Sequence, residues 1–380
     1  MTITINRDSH IKSMDSRIFE IVERKGDGHP DTICDNLVNV CAKELSKAYL
    51  KDYGQPQHYN LDKAFLIAGQ TQPKIGQHND IIEPMNILIG DRATKLKAKD
   101  GVQELIEDTA TKYMVDNFRH IDENNFGILS VAQEGSKHLR TVFDNKLRIG
   151  ANDTSATVGY APLSRTENLV HSIENVIRTL RQREKALGED VKIMAVRNNG
   201  KVDITLAVAM VAKELSSIEE YKQVKNWTQG MVIETLREWG EAHVVVNALD
   251  NYKTGEVYIT ETGLSAEGAD SGQVGRGNNP VGVIPLCRPA SAEAEAGKNA
   301  DSHVGKIYNR LAFHIANEIY NKTGYENYVW MVSRIGQLVN DPLYVNVELA
   351  DGTTATNSVI YDAERIVKDS VLNWKSYMFF

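Results

Sequence analysis

Three cysteines in 380 residues, Cys34, Cys41 and Cys287, are an odd number without CxxC spacing, so neither a disulfide framework nor a zinc site is indicated. Cys34 and Cys41 lie seven residues apart on what reads as one helix face, which places both in a core. No apolar run approaches the roughly 18 to 20 residues that a membrane span requires. The opening stretch, MTITINRDSHIKSMDSR, is polar and lacks the apolar segment of a secretory signal, so the chain is read as soluble and cytoplasmic. A long basic stripe is missing too. The formal net charge is −8, which argues against general nucleic-acid binding. It leaves room for a nucleotide, provided that cations or metal ions are gathered locally against the phosphates.

Familiar nucleotide and metal signatures are absent as well. No Gly-Lys pair has the glycine before it and the Ser or Thr after it that a phosphate-binding P-loop needs. Gly272-Gln-Val-Gly275-Arg-Gly277 has dinucleotide-fingerprint glycines in reversed spacing and opens no evident helix. The stretch 250–261 imitates a calcium loop, but Tyr252 and Thr254 stand where carboxylates or amides belong, so a plain hairpin is the better reading.

What is present is globular: 42% hydrophobic and 25% charged residues, over a length comfortable for two or three domains. Helical periodicity is predicted from residue 30 to Gly54 and over 102–118, 169–180, 218–239, 304–320 and 362–374. A capping box, Ser164-Arg165-Thr166-Glu167, precedes the third of these. Strands are expected at 191–197 and 202–210 around the turn Asn198-Asn199-Gly200. A second hairpin is expected from 242–249 and 257–260, and a third set of strands at 328–335 and 344–349. Helices and hairpins recur together about three times, which predicts an α+β chain of three sheet-and-helix units and disfavours a doubly wound parallel sheet. The units are drawn at 1–140, 141–255 and 256–380, with segments free to interleave because no linker separates them.

Residues 23–35, ERKGDGHPDTICD, carry the first chemical signal. Pro30 suits the first position of a helix, which puts His29 near the N-cap and Asp31 in the first turn. Gly26 and Gly28 clear side chains from the approach, and outward-facing N–H groups at a helix start suit phosphate. The plainer alternative is ordinary capping by Asp31 beside a structural histidine. Three further glycine-bearing polar stretches, GANDTS at 150–155, GADSGQVGRGN at 268–278 and AGKNADSHVGK at 296–306, are each explicable as turns. Together the four have the residue types of a phosphate-and-metal site assembled from several loops.

In that order the four stretches resemble the motifs of the S-adenosylmethionine synthetases, in their archaeal-type branch, across nearly the whole chain. The resemblance implies three βαββαβ-like units in a pseudo-threefold arrangement, and a homodimer with sheets packed at the interface and active sites between subunits. It implies that ATP, L-methionine and water give S-adenosylmethionine, phosphate and pyrophosphate, with Mg²⁺ required and K⁺ often stimulating. A thioether sulfur needs no general base to attack the ribose C5′. The barrier lies in the leaving triphosphate, whose growing charge fixed cations and Mg²⁺ would stabilise.

By resemblance, His29, Lys192 and Arg276 are catalytic, and Asp31 is a Mg²⁺ ligand. Gly28, Gly150, Asn152, Asp190, Asp270, Lys298, His303 and Lys306 are assigned to ATP and its phosphates, and Glu23, Gln70 and Asp153 to methionine. Bacterial and eukaryotic members carry lysine at the position of Gly277, and their second lysine of the later loop has no exact match here, His303 and Lys306 being the candidates to replace it. Gln70 stands where those members have glutamate. A catalytically weak regulatory homologue that binds ATP or S-adenosylmethionine is the alternative, and a polyphosphatase that performs the hydrolytic half alone is a third reading.

Overall fold

The computed structural model describes residues 1–7, 10–79, 81–97, 101–135 and 150–377. One arrangement recurs three times among them: a sheet, two helices on one of its faces, and an apolar core between. The first sheet joins β1 (Thr2–Asn6), β14 (Tyr344–Leu349), β13 (Asn327–Val332) and β6 (Ala156–Ala161), in that order. The second runs β10 (Ile259–Thr260), β8 (Lys201–Val211), β7 (Leu187–Asn198), β2 (Phe19–Lys25), β12 (Ile284–Pro285), with β9 (Ala242–Val246) also paired to β8. The third runs β11 (Gly272–Gln273), β3 (Tyr59–Ile67), β4 (Met85–Ala93), β5 (Phe126–Ser130). Each sheet therefore collects strands from separated stretches, and the units interleave along the chain.

The helices pair off by sheet. α1 (Pro30–Tyr53) and α2 (Gly101–Asn117) cover the third sheet with Ile33, Leu37, Cys41, Leu45, Ile106 and Met114 fully buried. Cys34 and Cys41 lie in this core, as their spacing predicts. α3 (Arg165–Arg181) and α4 (Ile218–Thr235) cover the second sheet, and α5 (Val304–Thr323) and α6 (Asn357–Leu372) the first. α3 starts at the expected box: Ser164 Oγ accepts from the Glu167 amide while the Glu167 carboxylate accepts from the Ser164 amide.

The β7–β8 hairpin forms as predicted, with Asn199 and Gly200 both at positive φ in a tight turn whose twist matches the strands. The second expected hairpin does not form. β9 runs parallel to β8 beside residues 202–206, and β10 runs parallel to it beside 210–211, so the chain makes an excursion along one edge without reversing. Asn247 is the reason. Its side-chain amide donates to Val208 O at 3.0 Å and accepts from Val208 N at 2.9 Å, standing in for a strand residue between the two short ladders. The segment after it closes a small turn bridged by Asn251 and Glu256, in place of either a calcium loop or a long hairpin.

A buried charge network joins the first two sheets. Arg197 of β7 donates to Glu20 of β2 at 3.0 Å, Ser164 Oγ donates to the other Glu20 oxygen, and Tyr160 of β6 donates to Glu167 at 2.9 Å. No helix among the described residues is long and apolar enough to cross a membrane.

Candidate active site

Proline at the first position fixes where α1 begins, and His29 becomes its N-cap. The backbone amide of Asp31 donates to Nδ1 of His29 at 3.2 Å, so the neutral ring carries its proton on Nε2. Burial and then the Lys25 ammonium bring the imidazole down to about 4, with Lys192 adding to the effect and the carboxylates of Asp31 and Asp270 opposing it. His29 is thus a neutral donor at physiological pH, and its Nε2 faces Asp270 Oδ2 at 4.0 Å.

The glycines ahead of His29 act differently from the expectation. Gly26 N donates to Val191 O at 2.6 Å and Gly28 N to Glu189 O at 3.1 Å, so these amides are spent on β7 and do not face outward to a phosphate. A Cβ on Gly28 would collide with the backbone of Glu189 and Asp190. The glycine is needed so that the His29 turn can lie against the strand that carries Asp190 and Lys192.

Asp190 and Lys192 are two residues apart on β7, yet their environments differ. Asp190 is buried and accepts from Ser265 through both its backbone N–H, at 3.0 Å, and its Oγ, while burial lifts its carboxyl to about 6. The residue ties the 265–270 segment to the strand. Lys192 is half exposed, with its Nζ 3.3 Å from Glu23 Oε1 across the β2–β7 ladder, where its charge is available to a ligand.

The 272–278 loop packs directly on the start of α1. Asp31 and Asp35, one helical turn apart, accept from the backbone amides of Gln273 and Gly275, each at 2.8 Å. Gly272 is required there, since a Cβ would strike the Pro30 carbonyl, whereas a Cβ on Gly277 would press on the end of the Asp35 side chain. Burial raises Asp35 to about 6 against the opposing pull of the Gly275 N–H. On the other side of Asp31, Lys25 Nζ bonds its Oδ2 at 2.9 Å and the Arg276 carbonyl at 2.6 Å. The Arg276 side chain itself is exposed.

Lys298, His303 and Lys306 form a second centre around the N-terminus of α5. Lys298 Nζ lies 2.9 Å from Asp62 and 3.0 Å from Glu293. Lys306 Nζ donates to Asn39 Oδ1 and Glu295 O, both at 3.0 Å, and burial lowers it to about 8. His303 caps α5 as His29 caps α1, its Nδ1 accepting from Gly305 N at 3.1 Å, and burial beside Lys298 and Lys306 brings it to about 3. Asp62, Lys63, Lys298 and Glu293 line a cavity of about 780 Å³ together with Gln273, Gly275 and the apolar Phe65, Leu88 and Val131. The 272–278 loop therefore borders both centres.

The middle motif joins the second centre. Asn152 N donates to Ser302 O and its Oδ1 accepts from Val304 N, both at 3.4 Å, beside His303. Gly150 bridges Leu338, and the exposed Asp153 bonds the Thr154 amide with its own carboxylate at 2.7 Å. Gln70 is exposed on the loop after β3, next to Gly69, whose amide donates to Ala266 in the 265–270 segment. Within one chain, then, Glu23, His29, Asp31, Asp190, Lys192, Asp270 and Arg276 gather at α1, whereas Gly150, Asn152, Lys298, His303 and Lys306 gather at α5. Sequence reasoning passed over Lys25, Asp35 and Ser265. For Asp35 the signal was a carboxylate four residues after Asp31 on the same helix face.

The model of the family described as S-adenosylmethionine synthetase (AdoMet synthetase) matches residues 1–378. The S-adenosylmethionine synthase of Caldivirga maquilingensis is 38% identical over 371 residues, covering 93% of this chain and 91% of that protein. That of Pyrococcus furiosus is 39% identical over 342 residues, covering 87% and 85%. The solved structure of an unusual S-adenosylmethionine synthetase from Campylobacter jejuni superposes with a TM-score of 0.63 at 16% identity, over 94% of this chain and 88% of that one, a likeness of fold. The chain belongs to the S-adenosylmethionine synthetase family.

Proposed function

We propose that this methionine adenosyltransferase forms S-adenosylmethionine at the His29 centre, by attack of the methionine sulfur on C5′ of ATP, and then hydrolyses the bound triphosphate to phosphate and pyrophosphate. The observation that carries the reading is the convergence of His29, Asp31, Asp190, Lys192, Asp270 and the 272–278 loop on the first turn of one helix.

The sulfur lone pair makes the new bond, and the C5′–O bond breaks with its electrons leaving on the triphosphate. No proton leaves the nucleophile. His29 Nε2–H, held neutral and pre-oriented by its N-cap bond, donates to the departing oxygen as charge grows there. Lys192 and Arg276, both exposed cations, are the proposed contacts to the phosphates. Asp31 would hold Mg²⁺ through an oxygen lone pair left by its bonds to Gln273 and Lys25. One or two carboxylates plus substrate phosphates and water are the ordinary environment of this ion, which supplies charge neutralisation on the leaving chain. K⁺ is proposed as the stimulating monovalent ion, tested by its replacement with Na⁺. Glu23, Gln70 and Asp153 remain the proposed methionine contacts.

The chain is proposed to act as a homodimer whose three pseudo-threefold units bring sheets together at the interface. The outer face of the third sheet supports this. Phe65, Leu88 and Leu129 stand in register across β3, β4 and β5, and they are 42%, 41% and 57% exposed, with Ile67 and Val131 beside them. A contiguous apolar row of this kind marks an interaction surface. It runs into the Lys298 cavity, and the proposed dimer seats the partner there with its His29 centre toward this chain's Lys298, His303 and Lys306. Each complete site would then take Gly150, Asn152 and the α5 cations from one subunit and His29, Lys192 and Arg276 from the other.

The test is purified protein with ATP, L-methionine, Mg²⁺ and K⁺, followed by mass detection of the sulfonium product. Phosphate release without that product would point instead to a polyphosphatase, and binding without either to a regulatory homologue.

A further inference from the structure

Lys25 belongs to none of the roles assigned above, yet it is nearly buried at the meeting point of the first and third motifs. Its Nζ contacts Asp31 Oδ2 at 2.9 Å, the Arg276 carbonyl at 2.6 Å and, more distantly, Glu23 Oε1 at 3.8 Å. Its backbone is held as well. The Asn278 side chain donates to Lys25 O at 2.7 Å and accepts from Lys25 N at 3.0 Å. The loop is thus pinned at Gln273 by Asp31, at Gly275 by Asp35, at Arg276 by the Lys25 ammonium and at Asn278 by the Lys25 backbone. Three of those pins are ordinary hydrogen bonds between a side chain and the backbone. The ammonium is different, because it ties the loop and the Asp31 carboxylate to a single point charge.

We propose that Lys25 is a positioning residue for the alkylation step, clamping Asp31 and the Arg276 carbonyl together so that the Arg276 side chain is presented to the triphosphate and the Asp31 carboxylate is held in fixed relation to His29. The inference rests on the placement of the active site at His29. A buried ammonium between a carboxylate and a carbonyl has its charge compensated and two of its three donors used, which sets both groups to within a few tenths of an ångström. Loss of that constraint leaves substrate binding largely intact and misplaces groups that matter when the C5′–O bond breaks.

The experiment compares wild-type full-length protein with Lys25→Met, which keeps the stem and removes the ammonium. Amide hydrogen exchange is followed over residues 272–278, alongside steady-state kinetics and the melting temperature. The clamp predicts exchange in that loop roughly 10-fold faster, with the exchange of α5 and β13 unchanged. It predicts that kcat for S-adenosylmethionine formation falls about 100-fold while KM for ATP and methionine stays within about 3-fold. Unchanged loop exchange overturns the clamp. Faster exchange with unchanged kcat overturns its positioning role. Loss of turnover in parallel with a global drop in melting temperature and exchange makes Lys25 merely structural and overturns it too. Should Lys25→Met fail to fold, Lys25→Arg keeps the charge and breaks the single-point geometry. A faster-exchanging loop with slower turnover there supports the clamp, and wild-type values of both overturn it. The exchange result is independent of catalysis, so it separates failure of the clamp from failure of the active-site assignment, which unchanged turnover in a His29 variant would reveal.

Discussion

The Asp31 amide and His29 Nδ1 are joined by a hydrogen bond of 3.2 Å, and that single contact gives the imidazole both its place at the helix start and its Nε2 proton. A capping interaction thereby doubles as a tautomer lock. His29→Asn tests the two functions separately, because asparagine caps a helix about as well but offers no donor at the reach of Nε2. S-adenosylmethionine formation should fall about 100- to 1000-fold. Hydrolysis of added triphosphate should fall far less, since His29 is assigned to C5′–O cleavage. Equal losses in steady-state assays of the two reactions would remove it from that step.

His303 makes the same bond at the start of α5, and its buried ring lies at about 3 among Lys298, Lys306, Lys63 and Asp62. The unfolded chain takes up a proton there near 6.5, well before the folded protein does. Stability contributed by neutral His303 is therefore complete above about pH 6.5 and declines as pH falls toward 3. Relative to His303→Asn, which keeps the cap and cannot titrate, the wild type should lose about 3 kcal/mol between pH 7 and pH 4. Urea unfolding at stepped pH gives the difference, and parallel profiles would contradict it.

Leu129 is 57% exposed in the apolar row with Phe65 and Leu88. A carboxylate in the middle of a desolvated interface carries a large burial cost. Leu129→Asp should weaken self-association by at least about 3 kcal/mol, roughly 100-fold in Kd. Sedimentation should show a monomer with unchanged circular dichroism and little enzymatic activity. An unaltered dimer would move the interface to another face.

Much of this was legible in the chain itself. Pro30 fixed the start of α1, and Ser164 with Glu167 fixed the start of α3, because a cap is a local interaction between residues two or three apart. The β7–β8 turn was legible for the same reason. The second hairpin was not. Whether 242–246 and 259–260 pair with one another or both with β8 depends on a contact from Asn247 to Val208, 39 positions away, that no periodicity records. The roles of Gly28 and Lys25 were hidden for a related reason. Gly28 looks like a phosphate loop until β7 is placed beneath it, and Lys25 looks like a solvated charge until Arg276, 251 positions on, is folded over it. The motifs gave the residue types of the site, while their division between an α1 centre and an α5 centre belongs to the tertiary structure.

That division can be measured directly by mixing two inactive proteins, His29→Ala and Lys298→Met, under conditions that allow subunits to exchange. In a site completed by the partner, each mixed dimer carries one doubly damaged site and one intact site. With half the dimers mixed, about a quarter of wild-type S-adenosylmethionine formation should return. Activity that stays at the level of the separate variants, although exchange is verified by mass, would place His29 and Lys298 in the same subunit's site and contradict the composite arrangement.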